Sequence, residues 1–298
     1  MLLKCCCMKI TLIEPKSYCA GVTNAIKIAL KAKQDYPQRK IYVLGRLVHN
    51  QLVINELSQK GIISLYSNKK TYEQLIAEAE PGSILIFSAH GHDKKLNDVA
   101  IKNRLMILDT TCPIVKRNID TIQKEIDNHH QVIYIGHKDH PETLAALSID
   151  KNVILYDVDF GMNKDLIIDK SPLVINQTTL NILDIQNNYQ DILHLFPEAR
   201  ISEEICNTTR LRQEAVINLP DDVDLILVVG DNNSSNSKRL YEVARISHPD
   251  IDSFLINHIS ELEPSLLKEK KHVAIASGAS TPMFAIEEII EYIRRLDD

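Results

Sequence analysis

Short, unbroken runs of Val, Ile and Leu alternate along this chain with longer segments of helical periodicity. Three runs stand out: 41–45 (IYVLG), 132–136 (VIYIG) and 225–230 (LILVVG). A second set follows at 62–67, 152–158 and 252–257, and a third at 83–91, 171–179 and 272–280. Runs without polar alternation read as strands buried on both faces. Their alternation with helices implies parallel crossover units. Helices are expected at 21–34, 114–128 and 209–219, and again at 93–103, 182–195 and 284–295. The links 67–83, 158–171 and 257–272 read as helices or helix-like connections.

The pattern repeats three times, and the cysteines mark the repeat. Cys19, Cys112 and Cys206 stand 93 and 94 residues apart. Each ends a short extended stretch and precedes a helical segment. Polar clusters then fall directly after the strands. His49, His140 and Ser234 lie 30, 28 and 28 residues beyond their cysteines, and His90, Thr178 and Ser280 lie 71, 66 and 74 beyond. The expected architecture is a trefoil of three pseudo-threefold α/β modules with mostly parallel sheets. Their limits are 1–108 (first module, with the N-terminal strand), 109–202 and 203–298. Ligands in open α/β sheets bind beyond the carboxyl ends of the strands. The repeat would therefore aim three cysteines and six polar loops at one central cavity. Polar turn residues at strand ends are ordinary; a cysteine at the same place in every module is not.

Composition narrows the classes. The chain has 298 residues, is 44% hydrophobic and carries a net charge of −6. That is ordinary for a globular protein and gives no basic face for nucleic acid. The longest apolar stretches are far short of the ~20 residues a bilayer span needs, so no membrane association is expected. Lys4 and Lys9 interrupt the apolar start, and no small-residue cleavage site follows, so a cytoplasmic location is expected. The run Cys5-Cys6-Cys7 reads as an extension without function. The nine glycines form neither of the usual nucleotide loops.

Three convergent thiolates suit a metal. Zinc would want a fourth ligand or a water. An iron–sulfur cubane normally takes four cysteines, so three would leave one iron open to a substrate oxygen. Spacing alone does not separate the two, and three unrelated buried cysteines are the bland alternative. His49, His90, His140, Ser234, Ser235, Asn236 and Ser280 are neutral or weakly basic hydrogen-bonding groups. With helix N-termini they can hold a phosphate or diphosphate without an Arg or Lys cluster. Glu142 is the one carboxylate at the heart of these clusters and a candidate proton donor. An ordinary first-turn glutamate is its plain alternative. Thr178 and Thr179 can orient a substrate hydroxyl or cap a helix. Redox chemistry here would draw electrons from a separate carrier protein.

The run YCAGV at 18–22, with Val48-His49-Asn50, IFSAHG at 86–91, DTTCP at 109–113, IGHKDHPE at 135–142, QTTL at 177–180, RQEAV at 212–216, VVGDNNSSNS at 228–237 and SGAS at 277–280, resembles the 4-hydroxy-3-methylbut-2-enyl diphosphate reductase family. The resemblance covers the chain from about Met8 onward. It implies a [4Fe–4S] cluster at the centre, one per chain, held by Cys19, Cys112 and Cys206 with the fourth iron open to substrate. It implies a two-electron, two-proton removal of the substrate hydroxyl as water, giving isopentenyl and dimethylallyl diphosphate in the methylerythritol phosphate route to isoprenoids. His49, His90, Ser234, Asn236 and Ser280 would hold the diphosphate, with Ser235 beside them and His140 as a third substrate-site histidine. Glu142 would give the proton, Thr178 would face the substrate hydroxyl, and ferredoxin or flavodoxin would supply electrons. Lys16-Ser17-Tyr18 departs from the Arg-Gly-Phe common in that family. A non-redox iron–sulfur dehydratase of a phosphorylated substrate is the rival enzyme reading, and a zinc-carrying binding protein the rival non-enzyme one.

Overall fold

The computed structural model describes residues 8–297; the Cys5–Cys7 cluster lies outside them. Strands and helices alternate. In chain order they are β1 (Lys9–Leu12), α1 (Ala20–Asp35), β2 (Ile41–Leu44), α2 (Gln51–Gln59), β3 (Ile62–Leu65), α3 (Tyr72–Ala77), β4 (Ile84–Phe87), α4 (Lys95–Lys102), β5 (Met106–Asp109) and α5 (Pro113–Asp127). They continue as β6 (Val132–Gly136), α6 (Pro141–Leu147), β7 (Val153–Asp157), β8 (Leu173–Asn176), α7 (Ile185–Leu195), β9 (Arg200–Ser202) and α8 (Asn207–Ile217). The last are β10 (Leu225–Val229), α9 (Ser235–Ser247), β11 (Asp252–Ile256), β12 (His272–Ser277) and α10 (Met283–Asp297).

Three four-stranded sheets result, all parallel, in the orders β3-β2-β4-β5, β7-β6-β8-β9 and β11-β10-β12-β1. The inner strands are apolar on both faces because helices cover both. Ile41, Val43, Ile84 and Ile86 pack under α1 and α2, while Tyr42, Leu44, Leu85 and Phe87 pack under α3 and α4. The period-two split recurs in the other sheets. Of the three helix or helix-like connections expected, the one before β4 is α3, while those before β8 and β12 are short 3-10 turns at Lys164–Leu166, Ile259–Glu261 and Pro264–Leu267.

The N-terminal strand differs from expectation. It does not join the first sheet; Lys9–Leu12 pairs with His272–Ile275 of β12 in the third. The first sheet's corresponding edge is already taken by β5. Met8, Ile10 and Leu12 pack into the apolar cluster under α10. This is a cyclic hand-over. β5 closes the first sheet and leads to α5, whose Ile122 packs on the second. β9 closes the second and leads to α8, whose Val216 packs on the third. β1 closes the third and leads to α1, which packs on the first. The chain therefore crosses three seams between modules, and each crossing carries one lone cysteine.

Candidate functional site

Each cysteine is the residue that opens its helix: Cys19 for α1, Cys112 for α5 and Cys206 for α8. Each backbone N–H donates to a carbonyl beyond the third strand of the preceding sheet: Cys19 to Ala279 (3.0 Å), Cys112 to Ala89 (2.9 Å) and Cys206 to Thr178 (2.9 Å). The three positions are thus equivalent in bonding as well as in sequence. All three thiols are free and half-buried, and all line one cavity. Helix N-termini favour thiolates there. Burial pushes the Cys112 thiol up, while backbone N–H groups of Ile114 and Val115 pull it down. Gly21 makes the close approach possible: a Cβ there would stand 2.9 Å from Cys112 Sγ. Among the described residues, no three His, Cys, Asp or Glu side chains are grouped as a single metal ion requires.

The same cavity is lined by His49, His90, His140, Glu142, Thr178, Ser234, Ser235, Asn236 and Ser280, so the structure brings together every site residue singled out from the sequence. The histidine rings form a cluster, with centroids 4.3 Å apart for His49 and His90, 6.0 Å for His49 and His140, and 5.9 Å for His90 and His140. Burial keeps them neutral. His49 is pushed down to about 4, by burial and then Arg46. His140 goes to about 3, by burial and then His49 and His137; His90 lies well below its usual value for the same first reason. His140 opens α6 and its Nδ1 accepts the Glu142 backbone N–H at 3.2 Å. A backbone N–H can only donate, so the hydrogen of the neutral ring sits on Nε2, free to donate to a ligand.

Ser234 opens α9, accepting from Ser237 N–H. That helix start sits against β10 and β12 only because Gly230 and Gly278 lack side chains; a Cβ at either would lie 2.3 or 2.1 Å from Ser237 Oγ. Asn236 is held at both ends, donating to Thr209 Oγ1 and accepting from Ala279 N–H. Ser280 Oγ donates to the His49 carbonyl, and Asp231 accepts the Gln51 N–H at 2.7 Å. These bonds tie the first module to the third.

Glu142 is buried, 3% exposed, in the first turn of α6. Burial pushes its carboxyl up to about 7, against the pull of three donors: the Thr178 N–H, the Thr178 hydroxyl and the Tyr134 hydroxyl. A carboxyl poised near neutrality can both hold and release a proton. This is more than a first-turn glutamate facing a helix dipole.

Sequence reasoning missed two supporting residues. Tyr134 sits inside β6, where its ring looks like core. Arg212 on α8 is buried without a carboxylate; its guanidinium donates to the carbonyls of Pro15, Ser17 and Ser277 at 2.6–2.7 Å. It pins the approach to Cys19 onto the helix that begins at Cys206. Ser17, in the departing Lys16-Ser17-Tyr18 run, has φ 58°, and its hydroxyl donates to the Thr281 carbonyl. Among the described residues, no helix is long and apolar enough to cross a membrane.

Comparison with known proteins gives a consistent result. The chain is 36% identical over 294 residues to a 4-hydroxy-3-methylbut-2-enyl diphosphate reductase of Malacoplasma penetrans, covering 97% of this chain and 98% of that one. It is 35% identical to the protein of the same name from Macrococcus caseolyticus, covering 97% and 90%. Among solved structures, the E-1-hydroxy-2-methyl-but-2-enyl-4-diphosphate reductase from Plasmodium falciparum superposes with a TM-score of 0.85 at 27% identity, over 96% of this chain and 87% of that one. A second, titled (E)-4-hydroxy-3-methyl-but-2-enyl diphosphate reductase, gives 0.68 at 28%, over 97% and 99%. The family model described as LytB protein matches residues 10–294. With the threefold fold and the converging site already described, this chain belongs to the LytB protein family.

Proposed function

We propose that this chain reductively dehydroxylates (E)-4-hydroxy-3-methylbut-2-enyl diphosphate to isopentenyl and dimethylallyl diphosphate. The substrate, two electrons and two protons give product and one water. One observation carries the reading: three seam cysteines, three neutral histidines and a near-neutral carboxyl line a single cavity. Relatives similar over nearly their whole length are named reductases, so the dehydratase reading finds no support.

The donor set fits a [4Fe–4S] cluster held by Cys19, Cys112 and Cys206. The thiols are free, converge from three helix starts, and are not grouped as one ion needs. Bound there, the cluster supplies Lewis acidity and electrons drawn from ferredoxin or flavodoxin. The chain's own residues do the rest. Neutral His49 and His90, with Ser234, Ser235, Asn236 and Ser280, hold the diphosphate at the start of α9, where free N–H groups and the helix dipole favour an anion. Their neutrality lets them donate without a buried cation's desolvation penalty. His140 donates from Nε2. Thr178 orients the substrate hydroxyl, and Glu142 delivers a proton to it.

The test is anaerobic. Purified protein should contain about four iron and four sulfide per chain, and turnover should require added reductant. One zinc per chain, or turnover without electrons, would contradict the reading.

A further inference from the structure

The carboxyl of Glu142 has two unequal oxygens. Oε1 takes two donors, the Thr178 backbone N–H at 3.0 Å and the Tyr134 hydroxyl at 3.3 Å. Oε2 faces one group, Thr178 Oγ1, at 3.0 Å. A backbone N–H cannot accept, so Oε1 must remain an acceptor. A threonine hydroxyl can turn and accept as readily as it donates.

From this geometry we infer that Tyr134 is a positioning residue for the reaction: it holds Glu142 Oε1 as the permanent acceptor and thereby confines the transferable proton to Oε2. The tyrosine is suited to this. It is 1% exposed, and its ring is packed among Ile122, Ala146 and Ile175 beneath α5 and α6. Among the described residues, its hydroxyl bonds only to Glu142. The inference rests on Glu142 being the proton donor, and it adds which oxygen donates and what selects it. When the Oε2 proton passes to the substrate oxygen, one proton leaves and a carboxylate remains. The Thr178 hydroxyl then turns to donate to Oε2, and three donors hold the anion. Solvent returns the proton before the next cycle.

The groups facing this carboxyl are Tyr134 from β6 and both donors of Thr178 after β8; His140, at the start of the same helix, takes the Glu142 backbone N–H instead. His140 stays neutral over the relevant range. Removing the Tyr134 donor therefore costs the carboxylate more than the neutral carboxyl, whose C=O loses the same but weaker bond.

Tyr134→Phe tests this in the cluster-loaded enzyme. The substitution keeps the ring and deletes one O–H. The protonated Glu142 C=O stretch, identified by its loss in Glu142→Gln, should move to higher wavenumber in infrared difference spectra. The alkaline limb of kcat should move up by about half to one pH unit, and kcat at its optimum should fall about 2- to 10-fold. KM should stay within about twofold, because the diphosphate is held elsewhere. An unmoved C=O band would overturn the inference. A band that moves while the limb does not would support the hold on Oε1 and overturn Glu142 as the donor that governs turnover.

Discussion

The three seams of this molecule are alike, whereas the loops between them are not. At every seam a cysteine opens a helix and donates its N–H to the preceding module's third strand end. At the loops the modules have diverged: histidine in the first, histidine, glutamate and threonine in the second, serine and asparagine in the third. Symmetric positions serve a ligand that meets all three modules equally. Under the proposed function, asymmetric ones would serve a substrate whose two ends differ, with a charged diphosphate toward the third module and a reacting oxygen toward the second. The difference separates what holds from what reacts.

The largest test of that comparison is at the seams. Cys19→Ser, Cys112→Ser and Cys206→Ser should each abolish the visible absorption of the purified protein and with it turnover. A single variant that keeps both would break the equivalence. Next comes the second module's loop. Glu142→Gln should keep the spectrum and substrate affinity but lose about 10²–10⁴-fold in kcat. In the parent enzyme, kcat should fall as pH rises through about 7, because only the protonated carboxyl donates.

Smaller effects sharpen the picture of the seam between third and first modules. Arg212→Met leaves the Pro15, Ser17 and Ser277 carbonyls without their buried donor. At about 1 kcal/mol or more for each unsatisfied group, the unfolding free energy from denaturant titration should fall by about 3 kcal/mol. The smallest is a pH effect on stability. His49, His90 and His140 hold fewer protons folded than unfolded below about pH 6.5, so their contribution is full above that value and declines as pH falls toward 4. Glu142, raised to about 7, acts oppositely between about 4.5 and 7. Three groups outweigh one, and unfolding midpoints should drop from pH 6.5 to 5. A His49→Gln variant should show a shallower decline.

The repeat was legible because its markers are local. A cysteine after an extended run and a polar cluster after an apolar run can both be read from neighbouring letters. What escaped reading depends on partners remote in the chain. β1 carries no letter that says whether it will lie beside β4 or β12. Arg212 bonds chiefly carbonyls, which every residue has, with one long bond to the Ser277 hydroxyl, so no complementary charge announces it. Tyr134 obeys the period-two pattern of a core strand, and only its terminal oxygen, reaching eight residues on to Glu142, sets it apart. The histidines were readable as a set, but their neutrality is a product of burial that the letters do not carry.

The pairing of residues 9–12 with 272–275 also has a temporal side. During synthesis the first strand waits unpartnered until nearly the whole polypeptide has left the ribosome, since domains otherwise form in the order they emerge. Cys112 and Cys206 can be seated by the modules already made, but Cys19 cannot. Maturation of the proposed metal centre would therefore be a post-translational event, gated by the last strand to be born.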